Sequence, residues 1–221
     1  MKRLLIILIL TFSFQTLSKA DDIRDFEIEG MSIGDSALDY FTNAEIKNGK
    51  RNYYKSNKFT DSELELPQFK EFQTVHINYR TKDKKYEIYA VEGTILYKDN
   101  IKDCYQKKDE IVKEISKIFN NSKPKDTGTK KHSYDKSGKS STTDVWFYLK
   151  TGRITVSCYD WSVEMKYVDH LRVRILSKEF MNFLNNEAYW YLTAGLISLR
   201  SLSIIHKLNI IRASFKQTVM V

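Results

Sequence analysis

The sequence has few of the residues that break, loosen or cross-link a chain. Its 221 residues include two prolines, eight glycines and two cysteines. These numbers exclude a collagen-like or proline-rich protein. The N-terminal apolar run, from Leu4 to Leu10, is also too short for a membrane-spanning helix, which needs about 20 residues. The C-terminal region also lacks acidic residues: none follows Glu187.

The N-terminus has the pattern of a cleavable secretory signal. Lys2 and Arg3 precede the apolar run, and Ser18-Lys19-Ala20 supplies a small-x-small cleavage site. We predict cleavage after Ala20, so that residues 1–20 are a signal peptide. No cysteine comes directly after this site, which excludes the lipid-attachment position of a bacterial lipoprotein. We expect the mature protein in the periplasm or outside the cell.

Net charge argues against a nucleic-acid partner. The formal charge is +8, but three basic residues lie in the signal peptide and four lie after Glu187. The body from Asp21 to Tyr189 therefore carries 29 basic against 28 acidic residues. A near-neutral body gives no electrostatic reason to expect nucleic acid.

The two cysteines predict one disulfide. Cys104 lies on the apolar stripe of a predicted helix, and Cys158 shares a predicted strand face with Ile154 and Val156. Both thiols should therefore point into one core. An oxidising compartment favours their pairing.

Apolar periodicity predicts an α+β fold. We expect a two-layer sandwich of antiparallel strands and helices, in the order α-βββ-α-βββ-α. Residues 21–189 form one domain in this prediction, and a diverged duplication of two similar halves stays open. The polar, lysine-rich stretch 120–142 is predicted to be a mobile or functional loop. The predicted helices are 35–49, 101–119 and 178–189, and the predicted strands are 58–66, 73–80, 85–97, 143–149, 153–159 and 170–176.

Gly34-Asp35-Ser36 resembles the serine block of GDSL-type hydrolases, in which serine is the nucleophile. Such catalysis needs a histidine base within hydrogen-bond reach. The family supplies it from an Asp-x-x-His sequence, and no histidine of this chain has an aspartate three residues before it. We therefore interpret Asp35 and Ser36 as helix caps, with an esterase acting through Ser36 as the alternative.

Other short motifs are weaker. Ser137-Gly138-Lys139-Ser140 resembles the end of a phosphate-binding loop, but Ser133 stands where that loop needs a glycine. Asp169-His170 has the residue types of an acid–base pair, but we interpret it as an ordinary polar entry to a strand. The aromatic residues Trp146, Tyr148, Tyr159 and Trp161 either line a binding cleft or pack in a sheet.

The four histidines lie singly, without metal-ligand spacing. We predict no catalytic, cofactor-binding or metal site.

Three segments together carry a family resemblance: 25–36, Ile101-Lys102-Asp103-Cys104, and Asn185-Asn186-Glu187-Ala188-Tyr189. Over Met1 to Tyr189 the chain resembles small exported proteins of unknown function from AT-rich marine alphaproteobacteria (Pelagibacter-like). That resemblance implies no activity and no functional residue. It implies an ending near Tyr189.

Residues 190–221 form an apolar, basic tail that we predict is not part of the fold. Arg200 would lie near the centre of any membrane span, at a cost of about 3 kcal/mol. Two alternatives remain: a helix lying on an anionic membrane surface, or a translated extension beyond the domain.

The leading functional hypothesis is a noncatalytic periplasmic binding or interaction protein, with an unknown protein or small molecule as its partner. The absence of a chemical constellation and the long basic segment 120–142 favour it. The esterase and a membrane-surface protein held by the tail are the alternatives.

Overall fold

The computed structural model describes residues 22–98 and 100–189. The predicted signal peptide and the tail lie outside these residues. No described helix is long and apolar enough to cross a membrane.

The described chain forms one antiparallel sheet of eight strands with three α-helices. The spatial order is β1-β2-β3-β4-β8-β7-β6-β5, so each half of the chain contributes a four-stranded meander. The last strands of the two halves, β4 and β8, pair at the centre. The predicted mixed α+β class is confirmed, while the duplication stays a prediction. The strands are β1 Lys50–Arg51, β2 Phe59–Leu64, β3 Thr74–Arg80, β4 Ala90–Tyr97, β5 Lys125–Lys131, β6 Ser141–Tyr148, β7 Gly152–Asp160 and β8 Asp169–Ser177.

Each α-helix begins at a side-chain cap. The helices are α1 Asn43–Asn48, α2 Ile101–Ile118 and α3 Lys178–Asn186. Thr42 and Glu45 form a capping box at the start of α1, satisfying backbone donors that the first turn leaves unpaired. Asn100 caps α2, and Ser177 accepts from the Phe180 N–H at the start of α3.

Two strands were not predicted. Strand β1 has only two residues, and β5 lies inside the segment expected to be a loop. Each half therefore has four strands rather than three. The side chains of β5 are exposed except for half-buried Thr127, so its sequence lacks the apolar alternation from which a strand is recognised.

The first predicted helix is also different in the structure. A 3₁₀ turn at Ala37–Asp39 precedes α1, and Ser36 caps that turn by accepting from the Leu38 N–H. The capping box of the first α-helix is formed by Thr42 and Glu45 rather than at Ser36.

The core lies between α2 and one face of the sheet, which we call the inner face. Buried Ile154, Val156 and Cys158 of β7 alternate along this face. Helix α2 contacts β7, β8 and β4, and contributes buried Cys104 and Ile115. The predicted disulfide between Cys104 and Cys158 is confirmed, with the two Cα atoms 6.0 Å apart.

A smaller apolar cluster lies on the opposite face, which we call the outer face. Phe180 and Phe183 of α3 pack there with Phe59 and Leu176, and the Phe59 and Phe183 ring centroids are 4.9 Å apart. Helix α3 thus covers one end of the outer face.

The chain remains packed up to Tyr189. Ala188 is buried, its carbonyl accepts from the Lys55 N–H at 3.1 Å, and the Tyr189 ring lies 6.1 Å from that of Tyr54. These contacts motivate a truncation test of the predicted domain boundary.

We expect truncation after Tyr189 to change the melting temperature by only a few degrees, equivalent to less than about 1 kcal/mol. Truncation after Asn186 removes the Ala188 contacts as well, and should lower the melting temperature further. Calorimetry on the two shortened proteins and the full chain measures both effects. A large loss after Tyr189 would mean that the tail contributes to the core.

Candidate functional site

The outer face carries most of the buried charge of the sheet. On β7 it presents Arg153, Thr155, Ser157 and Tyr159, because side chains alternate between the two faces of a strand. Register across the sheet places residues from seven strands in one row. From β2 to β5 this row is Glu63, His76, Glu92, Arg174, Thr155, Trp146 and Lys125.

Glu92 lies at the centre of this row between two arginines. Arg174 Nε donates to Glu92 Oε2 at 2.6 Å, and Arg172 Nε lies 2.8 Å from Oε1 as an ion pair without hydrogen-bond geometry. Burial acts to raise the pKa of Glu92, but the charges of Arg172, Arg174 and His76 outweigh it and lower that pKa to about 2. Glu92 is therefore an anion that neutralises two half-buried arginines.

His76 lies between carboxylates of the two neighbouring strands, β2 and β4. Its Nδ1 donates to Asp61 Oδ1 at 3.0 Å, and its Nε2 lies 4.0 Å from Glu63 Oε1. Burial acts to lower the pKa of His76, but the hydrogen bond to Asp61 and the charge of Glu92 raise it overall. Asn78 Nδ2 also donates to Asp61, at 2.5 Å. This geometry suits a charge-balancing imidazolium better than a general base.

An aromatic cluster occupies the end of the outer face near the loop from β7 to β8. His132 lies 4.4 Å from Trp161, Tyr159 stacks on His170 at 4.6 Å, and Tyr167 meets Trp161 edge-on at 4.9 Å. Burial and the charge of Arg172 lower the pKa of His170 to about 4. The imidazole of His170 is therefore neutral near pH 7.

A second aromatic group lies on β6. Trp146 and Tyr148 are neighbours on the outer face, with ring centroids 6.1 Å apart. The Arg153 guanidinium lies 4.5 Å from the Trp146 ring centroid and Lys130 Nζ lies 5.4 Å from it. Among the described residues, no carboxylate forms an ion pair with Arg153 or Lys130. Both cations thus keep their charge available for an outside group.

Unpartnered polar atoms concentrate on this face. Arg153 Nε and Trp161 Nε1 are buried donors without a hydrogen-bond partner in the described structure. His170 Nδ1 lies 2.9 Å from the Val168 carbonyl oxygen, so Nδ1 donates and Nε2 is an acceptor. That Nε2 is also buried and unpartnered. Buried polar atoms without a hydrogen-bond partner are uncommon in folded proteins. Their concentration here makes this surface a candidate binding site.

The structure uses Ser36 and Asp35 locally. Ser36 Oγ donates to the Lys85 carbonyl at 2.7 Å and accepts from the Leu38 N–H. Asp35 accepts from the Ser32 N–H and from the Tyr40 hydroxyl, both at 2.8 Å. Among the described residues the hydrogen bonds of Ser36 Oγ thus go to backbone groups rather than to a histidine base.

Asp169 and His170 are brought to different places. His170 belongs to the outer face, whereas Asp169 accepts from the Trp161 N–H at 2.7 Å. Neighbouring strand residues point to opposite faces, so the two side chains do not act as a pair.

The Ser137-Gly138-Lys139-Ser140 sequence forms the turn between β5 and β6. Asp135 organises it by accepting from the Ser137 and Ser140 N–H groups and from the Ser140 hydroxyl. These hydrogen bonds, which outweigh the effect of burial, hold the pKa of the Asp135 carboxyl well below its usual range. The backbone donors that a phosphate would need are occupied by this carboxylate.

A cavity of about 460 Å³ lies elsewhere, beside Met31 and Phe69. Its Glu29 carboxylate accepts from the N–H groups of Lys70, Glu71 and Phe72, at 2.7–3.0 Å. Glu29 therefore joins two chain segments, and none of the four unpartnered buried atoms of the described chain lies at this cavity. The outer face is the better candidate site.

The aromatic residues of this face could be recognised from the sequence, whereas its charge network could not. A signal was present, because Glu92, Arg172 and Arg174 interrupt apolar strands at alternate positions. Their partners come from other strands, and Glu92 and Arg174 are 82 residues apart in the chain. Only the register of strand pairing shows that these side chains are neighbours.

Comparison of the chain with protein-family models, curated proteins and solved structures finds no match.

Proposed function

We propose that the protein is a noncatalytic binding protein, exported to the periplasm or the exterior, whose ligand lies on the outer face over β5–β8. The observation that carries the proposal is the pairing of Arg153 and Lys130 with the Trp146 ring, without an acidic partner for either cation among the described residues. A cation held against an aromatic ring keeps its charge and gains a fixed position.

The residue types of the surface support recognition. Tryptophan, tyrosine and arginine carry a large share of binding energy in protein interfaces. Tyr148 is 50% exposed and Tyr167 is 52% exposed, although both are large and mostly apolar. Leaving such rings in water is unfavourable, and a ligand that covers them recovers that free energy.

The charge network supports a noncatalytic role. A general base or nucleophile needs a proton-accepting atom that a substrate can reach, and the free Nε2 of His170 is buried. Glu92 is occupied by two arginines, Asp61 by His76 and Asn78, and Ser36 by backbone groups. These side chains therefore have structural roles.

We also propose that the sheet and α2 are the two layers of the domain, with α3 as a cap over one end of the outer face. The contacts of α2 with β7, β8 and β4, and of α3 with β8 and β7, support this arrangement. It leaves the surface around Trp146 and Tyr148 open to a ligand.

Photo-crosslinking in intact cells tests the proposal. We expect a photo-reactive amino acid in place of Tyr148 to capture one dominant species. The same group in place of Tyr53 should capture much less, because Tyr53, in the connection between β1 and β2, lies beside His76 at the other half of the sheet with a similar exposure of 53%. Mass spectrometry identifies the captured species.

A matched pair of variants provides the control. Trp146→Ala with Arg153→Ala should abolish the crosslink from position 148. Arg80→Ala with Tyr89→Ala removes a similar cation–ring contact, at 5.1 Å, and should leave that crosslink intact. Equal capture at positions 148 and 53, or capture unaffected by loss of Trp146 and Arg153 in a variant that still folds, would contradict the proposed site.

A further inference from the structure

We propose that β5 is a docking edge for an extended, acidic segment of a partner protein, which adds to the sheet as a ninth strand. The inference deepens the proposed function and rests on it, because an added strand continues the outer face beyond Lys125 and Lys130. The sheet order ends at β5, so one long side of this strand has no neighbour within the described chain.

The backbone of β5 can accept a strand. It has seven residues, and their side chains are exposed except for half-buried Thr127. An edge strand presents a row of unpaired N–H and C=O groups, and extended peptides bind proteins by pairing with such rows. The opposite edge, β1, has only two residues. Strand β5 is therefore the edge long enough to hold a peptide.

Charge selects the partner. Lys125, Lys130 and Lys131 lie on the strand, and no described carboxylate pairs with any of them. The single acid of β5, Asp126, accepts from the Gly128 N–H at 2.7 Å. An acidic strand would place carboxylates opposite the lysines, and opposite charges across a strand pair stabilise it.

The same lysines disfavour other occupants. Two copies of β5 would set lysine against lysine, which is unfavourable. The tail beyond Tyr189 contains basic residues and no acid, so it is a poor electrostatic match. Lysines and the register shift between Asp126 and Thr129 are both devices that prevent unselective edge pairing. The same lysines attract an acidic strand, because its carboxylates carry the opposite charge.

Register predicts which side chains meet. Lys125 pairs with Trp146, and Lys130 pairs with Thr142, so both lysines belong to the outer face. Carboxylates at alternate positions of the added strand would lie beside these two lysines. They would also lie near the Trp146 ring, which Lys130 already contacts.

The test uses the full-length protein and a fluorescent peptide of alternating glutamate and threonine, with binding measured by anisotropy at low salt. We expect saturable binding. A peptide of the same sequence, N-methylated on the backbone at alternate residues, keeps its charges but cannot pair along one edge. Its affinity should fall by roughly tenfold or more. Equal affinity for both peptides overturns strand addition, and so does the absence of saturable binding.

Charge reversal provides the second arm. Lys125→Glu with Lys130→Glu should weaken binding of the acidic peptide by roughly tenfold or more, and should create affinity for an alternating lysine–threonine peptide. Lys113→Glu with Lys117→Glu, on the exposed side of α2, changes the net charge equally and should have little effect. An equal loss in both variants would mean attraction by net charge and would overturn the docking edge.

The two proposals fail separately. If N-methylation has no effect while Trp146→Ala abolishes binding of the acidic peptide, the outer face binds ligand and the edge does not. If the edge variants abolish peptide binding but the crosslink from position 148 is absent, the edge stands and the proposed ligand surface is wrong.

Discussion

Replacing Cys104 and Cys158 together by alanine lowers the free energy of unfolding by about 4 kcal/mol. The disulfide joins α2 to β7 across a sequence separation of 54 residues. A crosslink over such a loop restricts the unfolded chain, so its removal returns conformational entropy to the unfolded state. Urea denaturation of the oxidised protein and of the double variant measures the difference.

The wild-type protein supplies its own control for this prediction. Reduction by a thiol reagent opens the same loop without changing the side-chain volume in the core. We expect reduction to remove most of the stability that the double variant loses, with the remainder due to the small cavities left by two buried sulfur atoms. A loss below about 1 kcal/mol on reduction would mean that the unfolded chain is already restricted in this region.

The sequence predicted those strands in which apolar and polar side chains alternate. Strands β3, β7 and β8 agree with prediction to within a residue or so, because each places aliphatic side chains on the inner face at every second position. Strand β5 has no such pattern, since its side chains are exposed. An edge strand is held by backbone hydrogen bonds to its neighbour, which side-chain periodicity does not record.

The start of one helix was predicted from the sequence and the start of another was not. Helix α2 agrees with prediction because its cap at Asn100 and its apolar stripe coincide. The first helix was predicted from Asp35, where several polar residues offer caps. The capping box at Thr42 and Glu45 satisfies donors from both sides, whereas Ser36 caps only a 3₁₀ turn. Local pattern alone did not rank these two start points.

The candidate site could be predicted only in part. Aromatic residues of β6 and β7 were recognised as a choice between cleft and packing, and the structure places them on the outer face. The cations that distinguish these alternatives come from the strands on either side of β6. Lys130 of β5 and Arg153 of β7 both lie beside Trp146. Their proximity follows from register, which the sequence alone leaves open.

Replacing Glu92 by glutamine lowers the free energy of unfolding by about 3 kcal/mol at neutral pH, because two largely buried arginines lose their counter-charge. The pKa of Glu92 in the folded protein, about 2, lies below its ordinary value of 4.5. A depressed carboxyl pKa contributes stability that is present above pH 4.5 and is lost as the pH falls toward 2. The difference between wild type and Glu92→Gln should therefore shrink across that interval, as measured by urea denaturation at a series of pH values.

A carboxylate on the surface provides the matched control. Glu110 is exposed on α2 and pairs with Lys107 at 3.6 Å, so Glu110→Gln should change stability by less than about 0.5 kcal/mol. If Glu92→Gln lowers stability equally at pH 7 and near pH 2, the loss comes from packing rather than from charge. The two arginines would then need another counter-charge, and Asp61 and Glu63 of β2 are further acids on the same face.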